Sequence, residues 1–221
     1  MNNAIKIIFC FVLISVIQIS ATAQTAQEME MLKQRAKEKV KILNDNISFM
    51  ANPQKEIKTR YRYKDAAQRL FINDCNPYTE IVQYRDGHKE TVHRDGVKME
   101  TASLRNKIPV SKPMKEYFRA LINMTYKTVS IESTDIADMR VSRLQPYGKD
   151  ENGKTLYVCS VYFEQSFIGY RREGRAYKDI THKWCVCYVT KDEVYDEETG
   201  EYETEYIISL GDVHVESIQK M

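Results

Sequence analysis

The sequence predicts an α+β domain whose N-terminal helices pack on a strongly curved, antiparallel four-stranded meander of cone or cystatin-like form, with a small additional hairpin. In the first half of the chain, apolar residues recur every three or four positions, as in amphipathic helices. After Met124, long stretches are rich in β-branched and aromatic residues and are separated by turn-forming residues, as in strands. Helices followed by a run of strands indicate a sheet that is covered on one side.

The chain begins with a predicted signal peptide over residues 1–23. Lys6 supplies a positive charge, an apolar run follows over residues 7–19, and Ala21-Thr22-Ala23 offers small residues for cleavage. The apolar run is shorter than the roughly 20 residues that a membrane-spanning helix needs. We therefore expect an exported protein, periplasmic or extracellular, with a single domain over residues 24–221 and no membrane span after cleavage.

The net charge and the spacing of the His residues bear on whether the protein binds nucleic acid, binds a metal or catalyses a reaction. The formal net charge is +2, and Lys6 is the only charged residue of 1–23, so the remaining chain carries +1. Because nucleic-acid binders show a clear basic excess, we expect no nucleic-acid partner. The four His residues have neither the spacing of metal ligands nor a neighbouring nucleophile. We therefore predict no metal, no cofactor and no catalytic residue.

Three helices are predicted before Met124. The first spans residues 27–50, and Asn52-Pro53 ends it and can begin the second as N-cap and first helical position. The second helix continues to Phe71. A third helix begins at Ser111, with its apolar face formed by Met114, Phe118, Leu121 and Ile122.

The predicted strands are separated by recognisable turns. A hairpin over residues 80–93 turns at Asp86-Gly87, which suits a type I′ turn. The meander comprises residues 128–144 (interrupted at 135–138), 156–170, 175–191 and 205–218, joined by turns at Asn152-Gly153 and 171–174 and by an acidic loop over 192–203. Gly211-Asp212 is a predicted bulge or bend.

This order of elements, over Gln27 to Glu216, resembles the nuclear transport factor two-like (SnoaL-like) superfamily. The stretches 157–167 and 177–189 also resemble secreted members from Bacteroidetes-type bacteria. The superfamily includes isomerases, dehydratases, transport factors and binding modules, so the resemblance implies a cone-shaped fold and not one activity. It also implies a homodimer that pairs through the outer face of the sheet.

The central hairpin brings cysteines together. If its turn is centred near Arg172, Cys159 faces Cys185, and a slip of two residues puts it opposite Cys187. Two interpretations are open. The three thiols are buried as small apolar groups, or Cys159 forms a cross-strand disulfide with one of the other two.

Alternation along the same two strands separates two faces. One face carries the candidate ligand cleft, a mixture of polar and aromatic residues: Gln165, Phe167, Tyr177, Asp179, Thr181 and Lys183. The other face carries the candidate interface, which comprises Tyr162, Trp184 and Tyr188. The alternative for the first group is a polar ladder on the solvent side of the sheet.

An enzyme of this fold would need a general base and an oxyanion donor in the pocket. The carboxylates available near strands are Asp135, Asp138 and Asp179, and the candidate donors are Tyr61, Tyr63, Tyr117 and Tyr162. Spacing does not single out any pair of them. Elsewhere, the basic and aromatic run 55–69 is either the solvated face of a helix or a surface for an anionic partner. The acidic run 192–203 is either a charged hairpin tip or a calcium-collecting loop.

These features favour a non-enzymatic binding domain that holds a small or peptidic ligand in its cleft or contacts a partner protein. The alternative is a SnoaL-like isomerase or dehydratase that uses Asp and Tyr in the pocket. A third hypothesis is a structural envelope component whose long first helix packs against a neighbour.

Overall fold

The computed structural model describes residues 3–84, 86–149, 155–171, 174, 176–197 and 200–221, without the side chains of 3–25, 83, 155, 193, 196, 203 and 204. The chain forms two compact units, one ending at Arg35 and one spanning Ala36–Met221. In the first unit, Lys33 Nζ lies 3.2 Å from Glu30 Oε2, one helical turn away. No helix among the described residues is long and apolar enough to cross a membrane.

The three α-helices found among the described residues are α1 (Asn3–Ala51), α2 (Ile57–Gln68) and α3 (Met114–Ile122). The predicted helical stripe is confirmed within the second unit, because its apolar members are buried: Ala36, Val40, Leu43, Ile47 and Met50. Helix α2 begins later than predicted. The side-chain oxygen of Asn52 accepts a 2.9 Å hydrogen bond from the Gln54 N–H in a local turn, and no helix follows directly.

The strands of the described chain are β1 (Tyr78–Gln83), β2 (Lys89–Arg94), β3 (Lys98–Thr101), β4 (Val110–Pro113), β5 (Thr128–Ser133), β6 (Arg140–Val141), β7 (Gln145–Lys149), β8 (Thr155–Tyr170), β9 (Ala176–Asp196) and β10 (Glu201–Lys220). They form one sheet in the order β2-β1-β7-β8-β9-β10-β3-β4. Strands β5, β6 and β7 pair in succession with one edge of β8. Strand β3 lies parallel to β10, and the other described pairs are antiparallel.

The predicted four-stranded antiparallel meander on helices is therefore wrong, since the described residues form a mixed sheet of ten strands. Two segments account for much of the difference. The interruption predicted at 135–138 is a 3₁₀ turn at Ile136–Asp138, and it divides the segment 128–144 into two separate strands, β5 and β6. Residues Val110–Pro113 are strand β4 and not the first turn of α3, because a proline forces the residue before it into an extended conformation.

The acidic run is also mostly strand. Strand β9 extends to Asp196 and β10 begins at Glu201, with the rings of Tyr195 and Tyr202 paired across them at 5.2 Å. The predicted bulge at Gly211-Asp212 is confirmed by a register shift between Leu210 and Val213. The turns predicted at Asn152-Gly153 and centred at Arg172 fall on residues outside those described.

The register of β8 and β9 differs by two from the one assumed. Tyr170 pairs with Ala176, so Cys159 faces Cys187 instead of Cys185. The four cysteines whose side chains the structure describes are free, buried thiols: Cys75, Cys159, Cys185 and Cys187. Cys159, Cys185 and Cys187 are part of the core on the side of the sheet that carries the odd-numbered residues of β8 and β9.

Arg60 of α2 joins the ends of two helices. Its Nε donates to the Met50 carbonyl at 2.8 Å, and its guanidinium donates to the carbonyls of Ile122 at 2.7 Å and Leu121 at 3.3 Å. These carbonyls lie in the last turns of α1 and α3, where backbone acceptors lack helical partners and a cation is favoured. Arg60 is 7% exposed, so it belongs neither to a solvated helix face nor to a surface for an anionic partner, the two interpretations of residues 55–69.

Candidate functional site

One face of the sheet lines a cavity of about 510 Å³ within the second unit. Alternation along β8 and β9 directs one set of side chains into it. All six residues of the predicted cleft contribute to its lining: Gln165, Phe167, Tyr177, Asp179, Thr181 and Lys183. The volume lies within the range of small-molecule sites in proteins.

A chain of buried polar groups crosses from the sheet to α1. Lys183 Nζ donates to the side-chain oxygen of Gln165 at 2.7 Å, and the Gln165 amide nitrogen donates to the side-chain oxygen of Asn44 at 2.7 Å. Asn44 in turn donates to the Val40 carbonyl at 3.0 Å. Each amide thus donates on one side and accepts on the other, which fixes the position of the amine.

The Lys183 amine is an unusual group for a protein interior. The residue is 6% exposed, and burial lowers its pKa from the ordinary 10.5 to about 8, with Asp179 opposing the shift through its charge. The hydrogen-bond partner Gln165 is a neutral amide, which stabilises an ammonium less than a carboxylate does. Near neutral pH, the cavity therefore contains an amine that loses its proton readily.

The pKa of the Asp179 carboxyl group is shifted upward, whereas that of the Lys183 amine is shifted downward. Burial raises the pKa of its carboxyl group, while a hydrogen bond from Tyr177 and the charge of Lys183 lower it. The Tyr177 hydroxyl also accepts the Leu104 N–H at 3.0 Å, and burial raises the pKa of that hydroxyl to about 12. Tyr177 therefore links Asp179 to the segment that follows β3.

Aromatic rings form one wall of the cavity. The Phe167 ring makes edge contacts with Tyr126, at a centroid distance of 5.6 Å, and with Tyr177, at 5.9 Å. Gly169 permits this arrangement, because a Cβ atom there would lie 2.8 Å from the Tyr126 ring and 2.9 Å from the Phe167 ring. The glycine thus leaves the space that these rings occupy.

Basic groups outnumber acidic ones in the described lining. Arg105 and Arg171 are at exposed positions and Lys183 is buried, whereas Asp179 is the one acidic residue of the described set. The Arg171 guanidinium lies 5.8 Å from the Tyr126 ring centroid. The cavity therefore combines ring surface with a positive field, which favours an anionic group on a ligand.

The remaining lining residues come from elements that the sequence analysis did not connect with the cleft. Most belong to α3, β5, the end of β3 and the connections after β3 and α3: Thr101, Ala102, Ser103, Arg105, Tyr117, Leu121, Met124, Tyr126 and Ile131. Arg171, directly after β8, and Ala176, the first residue of β9, complete the lining. No local sequence pattern identifies Tyr126 as a lining residue, because Phe167, whose ring it contacts, is about forty positions away in the chain.

The opposite face of the sheet carries an aromatic row across four strands. Register pairs Arg140 with Tyr162, Tyr162 with Trp184 and Trp184 with His214. The guanidinium of Arg140 lies 6.0 Å from the Tyr162 ring centroid, and the rings of Trp184 and His214 stack at 4.0 Å. The residues of this row are partly or fully exposed. We refer to these four residues as the outer aromatic row.

Tyr188 does not belong to the outer aromatic row, although the sequence analysis grouped it with Tyr162 and Trp184. It is 8% exposed and packs 5.6 Å from the Tyr147 ring. Gly211 makes room for it, because a Cβ atom there would lie 2.6 Å from the Tyr188 ring. The bulge at Gly211 thus coincides with the point where this part of β9 becomes buried.

Two of the residues considered for acid–base chemistry lie in the cavity, and the others do not. Asp179 and Tyr117 line the cavity. The others do not line it: Asp135, Tyr61 and Tyr63 lie elsewhere, and Asp138 and Tyr162 line a second pocket of about 310 Å³, to whose lining Lys183 also contributes. Over the described residues, no group of three His, Cys, Asp or Glu side chains is placed to hold a metal ion.

Comparisons with protein-family models, with curated proteins and with solved structures found no match to this chain. The resemblance to the nuclear transport factor two-like superfamily therefore stays a proposal, and the four-stranded meander on which it was partly based is replaced by the ten-stranded sheet.

Proposed function

We propose that this protein is an exported, non-enzymatic binding domain of the nuclear transport factor two-like kind that holds a small ligand in its cavity. The observation that carries the proposal is the cavity of about 510 Å³, whose lining combines a ring wall with a buried polar chain. Sites for small molecules combine apolar walls with a few fixed polar groups in this way.

The lining favours a ligand with an apolar body and an anionic group. Phe167 and Tyr126 offer ring surface, while Arg105, Arg171 and Lys183 supply positive charge against the single carboxyl of Asp179. A buried amine with a neutral partner gains most from a carboxylate or sulfonate nearby, because charge-assisted hydrogen bonds are the stronger ones.

A fluorescent anion tests this proposal. We expect 1-anilinonaphthalene-8-sulfonate to bind the folded protein, and Lys183→Met to weaken binding about tenfold or more, since a hydrogen bond to a charged group contributes about 1.5–3 kcal/mol. Lys178→Met is the matched control, because Lys178 is exposed on the same strand. Equal affinity of both variants and wild type would show that the dye binds elsewhere and would contradict the proposal.

A second candidate function is acid–base catalysis of the isomerase or dehydratase kind. It is favoured by Asp179, a carboxyl group in the cavity whose pKa is raised by burial. Exchange of the α-protons of phenylacetone in heavy water, followed by NMR, would detect such a base. Asp179→Asn would abolish the exchange if Asp179 is the base, and no exchange by wild type would support the binding function alone.

We further propose that a second copy of the chain contacts the outer aromatic row. Trp184 and Tyr162 present ring surface there, with Arg140 beside them. Tryptophan, tyrosine and arginine are the side chains enriched at the centres of interfaces. A two-fold pair would place the same row on both sides of the contact.

Export is supported by the order of charge, apolar run and small residues in 1–23. Mass spectrometry of the protein recovered outside the cytoplasm would give the mature terminus, which we expect at Gln24. A chain that keeps Lys6 in that fraction would contradict cleavage at this position.

A further inference from the structure

The Lys183 amine has the surroundings of a reactive lysine. It lies in a cavity, is nearly inaccessible to bulk water, and is held by the neutral oxygen of Gln165. Desolvation favours the neutral form of an amine, and lysines activated in this way are the ones that form Schiff bases. The exposed Lys178 on the same strand lacks this environment.

We propose that Lys183 captures ligands that bear an aldehyde or ketone group, as a reversible imine, with an apolar ring of the ligand against Phe167 and Tyr126. This inference rests on the proposed function, because it names the chemical class of the ligand that the cavity holds.

The step is a condensation in which nothing is oxidised or reduced. The lone pair of neutral Nζ forms a bond to the carbonyl carbon, and a proton passes from nitrogen to the carbonyl oxygen, giving a carbinolamine. The hydroxyl group then takes a second proton and leaves as water while nitrogen forms the C=N bond. The resulting iminium returns one proton, so amine and carbonyl give imine and water.

Asp179 is the acidic residue of the described cavity lining, and protons can pass between it and the reacting atoms only through intervening water or the ligand. It lies four residues from Lys183 on β9, about 13 Å along a strand, with Thr181 on the same face between them. Burial raises the pKa of the Asp179 carboxyl group, so this group holds a proton more readily than an exposed aspartate does.

The neutral partner of the amine also matters for the reaction. Gln165 is itself held by Asn44, so its oxygen stays directed at Nζ. A carboxylate in that position would hold the amine as an ammonium ion, which has no lone pair to attack with. The cavity therefore combines a held amine, an acidic group on the same face of β9 and a ring wall.

Reductive trapping tests the inference on the full chain. Benzaldehyde and sodium cyanoborohydride are added to the folded protein at pH 8, and peptide mass spectrometry locates the benzyl groups. We expect Lys183 to be labelled at least about tenfold faster than Lys178, because burial lowers the pKa of the Lys183 amine to about 8 and the cavity holds that amine beside the aldehyde. Labelling that favours no lysine, or favours Lys178, would overturn the proposal.

A second measurement separates failure of this inference from failure of the proposed function. The dye 1-anilinonaphthalene-8-sulfonate is titrated into the same preparation, and trapping is repeated at saturating dye. Lys183 labelling that the dye suppresses supports both proposals. Dye binding that Lys183→Met weakens, together with no selective labelling of Lys183, overturns the imine alone. Absence of both dye binding and selective labelling overturns both.

Discussion

The side-chain amide of Gln165 on β8 donates a 2.7 Å hydrogen bond to the side-chain oxygen of Asn44 on α1. This bond ties the helix to the sheet and directs the Gln165 oxygen at Lys183. Both amides are buried, with Asn44 3% and Gln165 6% exposed. Removing one of them leaves unpaired polar groups in the interior, which costs more than the bond itself contributes.

We expect Gln165→Leu to lower the free energy of unfolding by about 1–3 kcal/mol, because Asn44 and Lys183 then lose a partner in the interior. Urea denaturation measures the change. Gln145→Leu is the matched control, since Gln145 is exposed on β7, and it should lie within about 0.5 kcal/mol of wild type. Equal stabilities of the two variants would contradict the polar chain as described.

The pH dependence of stability reports the state of Lys183. Its pKa of about 8 in the folded protein is below the ordinary 10.5, so the unfolded state holds more protons between these values. The free energy of unfolding therefore increases as pH rises from 8 to 10.5, because the folded protein no longer buries a charged ammonium group. Below pH 8 the folded protein does bury that charge, and the full cost of doing so lowers its stability.

We expect the stability of Lys183→Met relative to wild type to fall by about 2–3 kcal/mol between pH 7 and pH 10. Chemical denaturation of both proteins at several pH values gives this difference, which cancels contributions from thiols and tyrosines. The difference between Lys178→Met and wild type should stay constant over the same range. A constant difference for Lys183→Met as well would show that its amine titrates as an exposed one.

The set of residues around the cavity could be predicted because strand faces depend on parity. The assumed register was wrong by two residues, yet Gln165, Asp179 and Lys183 still share a face, since a shift of two preserves alternation. The parity argument holds less well near Gly211, where the bulge in the neighbouring strand accompanies the burial of Tyr188. The sequence alone could not show that Tyr188 is buried although its neighbours on the same face are partly exposed.

The sheet and the rest of the lining depend on contacts between distant segments. Strand β3 pairs with β10 in parallel more than a hundred residues away, and no local pattern encodes that choice. Arg60 was misjudged for a related reason. In the sequence it is one of several cations at short spacing, and only the meeting of the ends of α1 and α3 creates the carbonyls that it binds.

Loss of the Arg60 guanidinium should destabilise the second unit strongly. We expect Arg60→Met to lower the free energy of unfolding by about 3 kcal/mol, because three buried hydrogen bonds from a charged donor are lost. Thermal and urea unfolding measure the effect. Arg62→Met is the matched control at an exposed position of the same helix and should have almost no effect. A similar loss in both variants would argue against the capping role.

The proposed homodimer, formed through the outer aromatic row, predicts the mass of the protein in solution. We expect the wild-type chain to sediment as a dimer and Trp184→Ala to raise the dissociation constant at least about tenfold, because a central aromatic contributes about 2 kcal/mol or more to an interface. Analytical ultracentrifugation over a range of concentrations measures this constant. Tyr195→Ala removes an exposed ring from the far end of β9 and should leave the constant unchanged. A monomeric wild type at all concentrations would end the proposal.

The buried thiols should be unreactive in the folded protein. Burial raises the pKa of Cys75 to about 12, and a hydrogen bond with Cys187 together with burial raises the pKa of Cys159. The hydrogen bond with Cys159 lowers the pKa of Cys187, but a hydrogen bond with Cys185 and burial outweigh it, so this pKa is raised as well. The thiolate is the reactive form, so we expect almost no reaction with Ellman's reagent at pH 8 until denaturant is added. The stability that burial of these neutral thiols contributes is present below pH 9 and is lost as pH rises.

After unfolding, we expect Ellman's reagent to react with four thiols, which are the four that the structure shows as free: Cys75, Cys159, Cys185 and Cys187. The protein without residues 1–23 is the appropriate sample, because it lacks Cys10. A count of two would indicate a bond between two of the four, and Cys159 and Cys187 are the pair that the register places opposite each other. Rapid reaction in the folded state would instead contradict the burial of the thiols, because a thiol that is shielded and protonated reacts slowly.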